Sequence, residues 1–300
     1  MAVVTWLRAN RQAVSDPLHW HFYDSFSGTF THLIACPATL RAAIIDPVMG
    51  YAPAAARINT SAAEQIAAVI RAEHLSLDWV LETHIHADHL SAAQFFRQRF
   101  GARIAIGASV CAVQAICAQL FDLPGLATDG SQFDRLWQDD EQFELGELRV
   151  RVLATPGHTL DGVTYLVGSH AFIGDTVFRA DFGTARCDLG GGDPGVLFES
   201  IRRLYTLPPS TILHFCHDYP PCEQPPTERA YVDDMRFSNV HMTSATRRED
   251  FVALRRSRDA KLPVPALMIP AVQVNVAAGR LPTPSGNGIA YLKVPLNTLG

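Results

Sequence analysis

The chain has 300 residues, 48% hydrophobic and 18% charged, with a net charge of -5, enough apolar surface to offset its ordering entropy and exclude intrinsic disorder. Its 25 Lys and Arg are scattered among 30 acidic residues, which excludes a phosphate-tracking nucleic-acid surface. The 6 cysteines form no C-x-x-C pair, so free thiols in a reducing compartment are expected and the protein reads as cytoplasmic.

At the N-terminus, Ala2 to Leu7 is too short for a signal-peptide core, and Arg8 and Arg11 follow it instead of preceding it. From Trp20 to Val48 alternation and β-branched residues predict strands at Phe22 to Phe26 and Thr29 to Cys36, with a turn at Ser27-Gly28, then a strand at Arg41 to Ile45. Ser61-Ala-Ala-Glu64 has a capping-box pattern ahead of Ile66 and Ile70, which predicts a helix to about Glu73. A strand at Asp78 to Glu82 and a helix from Leu90 to Phe100, closed by Gly101, come next. The uncharged run Ile104 to Phe121 approaches the length of a membrane span. Gly107, Ser109, Gln114 and Gln119 divide it instead into the end of a strand (Arg103 to Gly107) and an amphipathic helix.

Beyond Gln142 the texture changes to a meander of short strands, Gln142 to Leu145, Leu148 to Ala154, Val163 to Val167 and Ala171 to Ile173, turning at Gly146, Gly162 and Gly168. A helix (Gly195 to Tyr205), a strand (Thr211 to Phe215) and helices over Thr227 to Phe237 and Thr246 to Ala260 follow. Two β-then-α halves predict an α+β fold, a four-layer αββα sandwich with one sheet from each half. Residues 1–240 are expected to form this domain, with 241–300 a C-terminal helix and an extended Pro-rich arm packed on it. Pro263, Pro265, Pro270, Pro282, Pro284 and Pro295 are expected to exclude helix there, and with it a membrane span over Leu262 to Gly279. Leu267, Ile269, Val272, Val274 and Leu292 are too apolar for a solvated tail. The arm and the apolar Ala108 to Phe121 helix either pack on the core or bury a homodimer interface.

Chemistry concentrates in Thr83-His84-Ile85-His86-Ala87-Asp88-His89. Where a strand ends, side chains two apart point the same way, so His84 and His86 face one point. Asp88 and His89, entering the next helix, approach from a second side. Burying these groups together without a cation leaves polar atoms unpaired, whereas a divalent ion satisfies them. His158, Asp175, His217 and Tyr219 each follow a predicted strand, a placement that brings loops to one edge of a sandwich. His19 and His21, two apart in a strand-like run, have no third ligand beside them and read as structural. Cys111 and Cys117 lie about 240° apart around one helix, too far round to share a partner. Cys36, Cys216 and Cys222 have no ligand spacing, which leaves Cys187 as the thiol to test.

The motif Thr83-His84-x-His86-x-Asp88-His89 with His158, Asp175 and His217 resembles the metallo-β-lactamase superfamily, over about Phe22 to Tyr219. In a two-metal member the resemblance implies one cation on His84, His86 and His158, another on Asp88, His89 and His217, and Asp175 bridging. Leu81 to Ala93, Phe182-Gly-Thr-Ala-Arg186-Cys-Asp188, Cys216-His-Asp-Tyr219 and Gln273-Val-Asn275 are similar to the bacterial persulfide dioxygenases, over nearly the whole chain. This closer resemblance implies a single Fe(II) per chain on His84, His158 and Asp175, leaving positions open for a thiolate-type sulfur and O2. The substrate would be glutathione persulfide or a similar low-molecular-weight persulfide, and the products sulfite and thiol.

The same resemblance implies Arg186, Tyr219 and Asn275 as substrate contacts, with Asp88 and Tyr219 in catalysis. Asp188 would orient Arg186, and the plain alternatives are a surface ion pair of Arg186 with Asp181 or Asp188 and a core tyrosine at Tyr219. One departure is clear: Asn275-Val-Ala-Ala-Gly279 stands where many dioxygenases have Asn-x-Arg-Cys-Gly. The chain is also similar to glyoxalase II, which implies thioester hydrolysis on one or two Zn(II) ions, with His86, Asp88, His89 and His217 as further ligands and a metal-activated water.

Overall fold

The computed structural model describes residues 15–220 and 224–298. The stretch Ala2 to Leu7 and Cys222 lie outside them. Strands β1 (Leu18–Asp24) and β2 (Thr29–Ala35) form a hairpin whose turn places Gly28 at φ 75°, a left-handed conformation natural to glycine. The chain continues through β3 (Arg41–Ile45), β4 (Val48–Ala52), β5 (Arg57–Asn59), α1 (Ser61–Ala72), β6 (Ser76–Leu81), β7 (Leu90–Ser91), α2 (Ala93–Phe100), β8 (Arg103–Gly107), α3 (Val110–Leu120) and β9 (Arg135–Trp137). One sheet runs β1-β2-β3-β6-β8-β9, and its last four strands are parallel. The meander β10 (Gln142–Leu145), β11 (Leu148–Ala154), β12 (Val163–Val167) and β13 (His170–Phe172) starts the second sheet. After α4 (Pro194–Leu204), β14 (Ile212–His214) joins β13 in parallel and β15 (Arg229–Tyr231) closes the edge. Helices α5 (Val232–Ser238), α6 (Arg248–Asp259) and α7 (Met268–Asn275) complete the described chain.

Side-chain alternation explains the layers. In β3, Ala42 and Ile44 pack outward with Ile66 and Ile70 of α1 and Phe96 of α2, while Ala43 and Ile45 face the other sheet. A strand buried on both faces must be apolar throughout, as Ala42 to Ile45 are. In β11 Leu148, Val150 and Val152 point into the space between the sheets, and Arg149 is exposed on the opposite face. Leu197, Ile201 and Leu204 of α4 cover the second sheet together with Phe251 of α6. Each sheet therefore comes from one half of the chain, with helices outside, in the order read from the sequence.

Four local expectations are corrected. Ser61 is the first residue of α1 and not its cap; its N–H donates to Asn59 Oδ1 at 2.7 Å. Leu90 and Ser91 form a strand against β4, so α2 begins later, at Ala93. The helix expected over Thr227 to Phe237 starts as strand β15, because that segment completes the sheet edge. Prolines do not exclude helix after residue 260: Pro270 is the third residue of α7, where a helix needs no N–H from it. Residues 280–298 carry neither helix nor strand, and Leu281, Ile289, Tyr291, Val294 and Leu296 are exposed. They touch the body where Leu292 packs beside Leu267 and Val274, and where the Gln273 side chain bonds the Lys293 backbone. Among the described residues no helix is long and apolar enough to cross a membrane.

Candidate metal centre

The ends of β3, β6, β11, β13 and β14 deliver their following residues to one edge of the sandwich. The segment after β6, Glu82 to His89, has little regular structure of its own and is held by side chains from elsewhere. Asp46, at φ 50° just beyond β3, accepts the Thr83 N–H at 2.7 Å and the Thr83 hydroxyl at 2.8 Å. Asp161 accepts the Ile85 N–H at 2.8 Å. Asn275 of α7 donates to the carbonyls of His86 and His89 at 2.9 and 2.8 Å and accepts the Ser91 N–H. Gly174 is required where the two arms of the site meet: at φ 53°, a Cβ there would lie 2.7 Å from Thr83 Oγ1.

His84, His158 and Asp175 form a compact face. Asp175 Oδ2 lies 4.0 Å from His84 Nε2 and 3.6 Å from His158 Nε2. His158 Nδ1 donates to the Arg186 carbonyl at 2.7 Å, which leaves its Nε2 with the lone pair. On the other side, His217 Nε2 is 3.4 Å from Asp175 Oδ1 and 3.5 Å from Asp88 Oδ2. His89 donates through Nδ1 to the Leu90 carbonyl at 3.1 Å, again freeing Nε2. His86 differs: its Nε2 sits 3.0 Å from Asp46 Oδ1, and its Nδ1 faces Asp88 at 3.9 Å. Asp175 thus stands between the two groups, and all seven expected ligands converge.

The donor set fits a divalent ion. His84 Nε2, His86 Nδ1, His89 Nε2, His217 Nε2 and Asp175 Oδ1 are buried without a hydrogen-bond partner, a costly arrangement that coordination would satisfy. Burial, with the neighbouring imidazoles, pushes the pKa of His84 well below its usual value and that of His89 to about 4, so both rings are neutral ligands. Burial opposes charge on His86, but Asp46, Asp88 and Glu82 raise its pKa to about 10. Burial likewise opposes ionisation of Asp88, and His217, His89 and His86 override it.

Residues 27–217 match the family model of the metallo-beta-lactamase superfamily. The chain belongs to this superfamily. It is 45% identical over 289 residues to a probable metallo-hydrolase of Burkholderia pseudomallei, covering 93% of this chain and 98% of that one. It is 41% identical over 281 residues to glyoxylase B2 of Dictyostelium discoideum, covering 93% and 96%. Among solved structures it is similar to ETHE1 from Myxococcus xanthus, with a TM-score of 0.70 and 28% identity over 88% of this chain and all of that one. A metal-dependent enzyme of the metallo-beta-lactamase superfamily is the reading that these matches and the clustered ligands share.

Beside this superfamily centre lies a cavity of about 290 Å³, reached by His158, Asp175 and Asp88. Phe178, Phe182, Leu189 and Leu262 give it apolar walls, and Arg186, Arg255 and Arg258 bring positive charge. Arg186 is a wall residue already engaged: Nε and Nη2 grip Asp188 at 2.6 and 2.7 Å, and Nη1 donates to the Pro263 carbonyl at 2.7 Å. Asp188 therefore does orient it, and two of its N–H bonds remain for a ligand. Tyr219 stands half-exposed at the rim, its ring parallel to His217 at 5.8 Å and close to Phe182. Asn275, expected at the substrate, does not line the cavity; its amide is spent on the metal-bearing loop. Cys187 is buried, which pushes its thiol pKa up to about 12 and leaves it a poor nucleophile.

Sequence reasoning missed Asp46, Asp161 and the pair Arg255 and Arg258. Only Asp46 had a local signal, as the acid that stops the apolar run Ala42 to Ile45 at the same edge as the histidines. The others reach the site from the loop before β12 and from α6.

Proposed function

We propose that this enzyme is a persulfide dioxygenase with one Fe(II) held by His84, His158 and Asp175. The observation that carries the reading is the two-histidine, one-carboxylate face these residues form, with both Nε2 atoms within 4.0 Å of one Asp175 oxygen. Iron in such a ligand set leaves neighbouring positions open for a sulfur donor and O2. The balanced reaction takes a persulfide, O2 and one water to the thiol, sulfite and two protons.

This chain's own residues would supply binding and orientation. The apolar walls formed by Phe178, Phe182 and Leu189 exclude water around the sulfur chain. The free N–H groups of Arg186 and the charge of Arg258 suit the carboxylates of a glutathione-like tail, so glutathione persulfide is the leading substrate. Tyr219, at the rim, would touch bound substrate, and Asp88, held ionised beside His217, would accept a hydrogen bond from it. The likeness to ETHE1 supports the same reading.

A second reading, thioester hydrolysis on two zinc ions, is favoured by one observation. His217 Nε2 lies almost equally far from Asp175 and Asp88, so a second ligand group adjoins the first. The likeness to glyoxylase B2 points the same way. The deciding experiment loads the protein anaerobically with Fe(II), adds glutathione persulfide and follows O2 uptake and sulfite. Uptake matched by sulfite, and absent in His158→Ala, is expected. No uptake above that variant, together with turnover of S-lactoylglutathione by protein holding two zinc ions, would overturn the dioxygenase in favour of the hydrolase.

A further inference from the structure

A second histidine cluster lies between the sheets, away from the centre described above. His19 of β1 and His32 of β2 belong to one sheet, His170 of β13 and His214 of β14 to the other, and all are buried. Potential ligand atoms of His19, His170 and His214 lie within 4.8 Å of one another. Phe172 stacks on His214 at 4.6 Å.

Hydrogen bonding fixes which nitrogens carry protons. The Phe215 carbonyl only accepts, so His32 Nε2 donates to it at 2.9 Å and His32 Nδ1 must accept from His19 Nε2 at 3.0 Å. The Glu228 carboxylate, 3.0 Å from His214 Nδ1, imposes the same order: His214 Nε2 is bare and accepts from His170 Nδ1 at 2.8 Å. Both chains start on an acceptor and end on an imidazole with an unused lone pair, His19 at Nδ1 and His170 at Nε2. Burial, with neighbouring imidazoles, lowers the pKa of His19 and His214 well below the usual value, so these rings are neutral, the form a metal takes.

We propose that His19, His170 and His214 form a second transition-metal site, a clip between the two sheets, with Glu228 orienting His214 from behind. A carboxylate on the far nitrogen of a ligating histidine is the arrangement that fixes ring orientation and raises ligand basicity. Neutral imidazoles select zinc-like ions over magnesium or calcium. Zinc bonds of about 2.0–2.1 Å set tetrahedral nitrogens about 3.3 Å apart, so His170 and His214 need open by only about half an ångström. His170 would ligate through Nδ1, its proton moving to the unused Nε2 so that the ring stays neutral as the ion enters.

The test is a calorimetric Zn2+ titration of the full chain carrying His84→Ala, His158→Ala and His217→Ala, which disable the catalytic centre. One equivalent is expected to bind, to disappear when His170→Gln is added, and to weaken by about 10–100-fold with Glu228→Gln. Co2+ in its place should give the visible absorption of a tetrahedral nitrogen site. No binding by the triple variant, or an equal zinc stoichiometry with and without His170→Gln, overturns the site and leaves a hydrogen-bonded histidine network. If the triple variant does not fold, saturated wild-type protein must hold one more zinc than His170→Gln alone; equal contents overturn the proposal equally.

Discussion

The two histidine groups of this fold are built in opposite ways. At the sandwich edge, His84, His86 and His89 come from one short loop, and their metal-facing nitrogens are left without partners. Between the sheets, His19, His32, His170 and His214 come from separate strands, and each ring is tied to another by a bond of 2.8–3.0 Å. Buried lone pairs aimed at one point without partners are costly, and such a site is maintained for an ion. Paired imidazoles satisfy most of their own demand, so their group can hold a proton or a metal in the same place. The first arrangement is poised for chemistry, and the second for joining two layers.

Removing a ligand from the edge site should have the largest effect. His158→Ala is expected to lose bound metal and at least about 10³-fold in turnover, since the reaction depends on the ion. Metal analysis beside the rate distinguishes loss of the ion from loss of the fold. For the inter-sheet group the contrast is in acid stability of the metal-free protein. Burial, partly offset by the Phe215 carbonyl and Glu228, puts the pKa of His32 at about 4 in the fold, against about 6.5 in the unfolded chain. The unfolded state therefore binds the extra proton first as pH falls. Stability is complete above about pH 6.5 and is lost toward pH 4 at roughly 1.4 kcal/mol per unit for this residue. Urea titrations across this range check the sign; an acid loss no steeper in the wild type than in His32→Gln contradicts it.

Supporting residues should show smaller effects that separate the two groups further. Asp46→Asn keeps the shape but weakens the hold on His86, and is expected to cost about 10–100-fold in metal affinity or activity, with little change in the inter-sheet group. Asn275→Ala leaves the carbonyls of His86 and His89 and the Ser91 N–H without their partner, and should destabilise the fold by about 2 kcal/mol, read from the denaturation midpoint. Its effect on KM should be minor, because it does not line the cavity.

The edge site was legible because its ligands are packed into His84 to His89, and the remaining ones each follow a strand whose apolar run marks it. The sheets were legible for a similar reason: β11 alternates between its faces, and the unbroken apolar run of β3 marks a strand buried on both. Other features depend on distant partners. His19 looked structural because the histidines that would share a metal with it, His170 and His214, lie on β13 and β14, more than a hundred residues away and on the facing sheet. Asn275 matched a substrate motif, yet its surroundings, the loop carbonyls of His86 and His89, assign the amide to positioning that loop. The prolines after Lys261 read as helix breakers, while Pro270 falls in the first turn of α7, where its missing N–H costs nothing.

In the proposed reaction His84, His158 and Asp175 hold one iron for persulfide oxidation. Its most direct test counts iron per chain and O2 consumed per sulfite formed in the same Fe(II)-loaded sample given glutathione persulfide. One iron per chain and one O2 per sulfite is the predicted result. Protein that consumes no O2 with iron bound, and hydrolyses S-lactoylglutathione with two zinc ions, would contradict it.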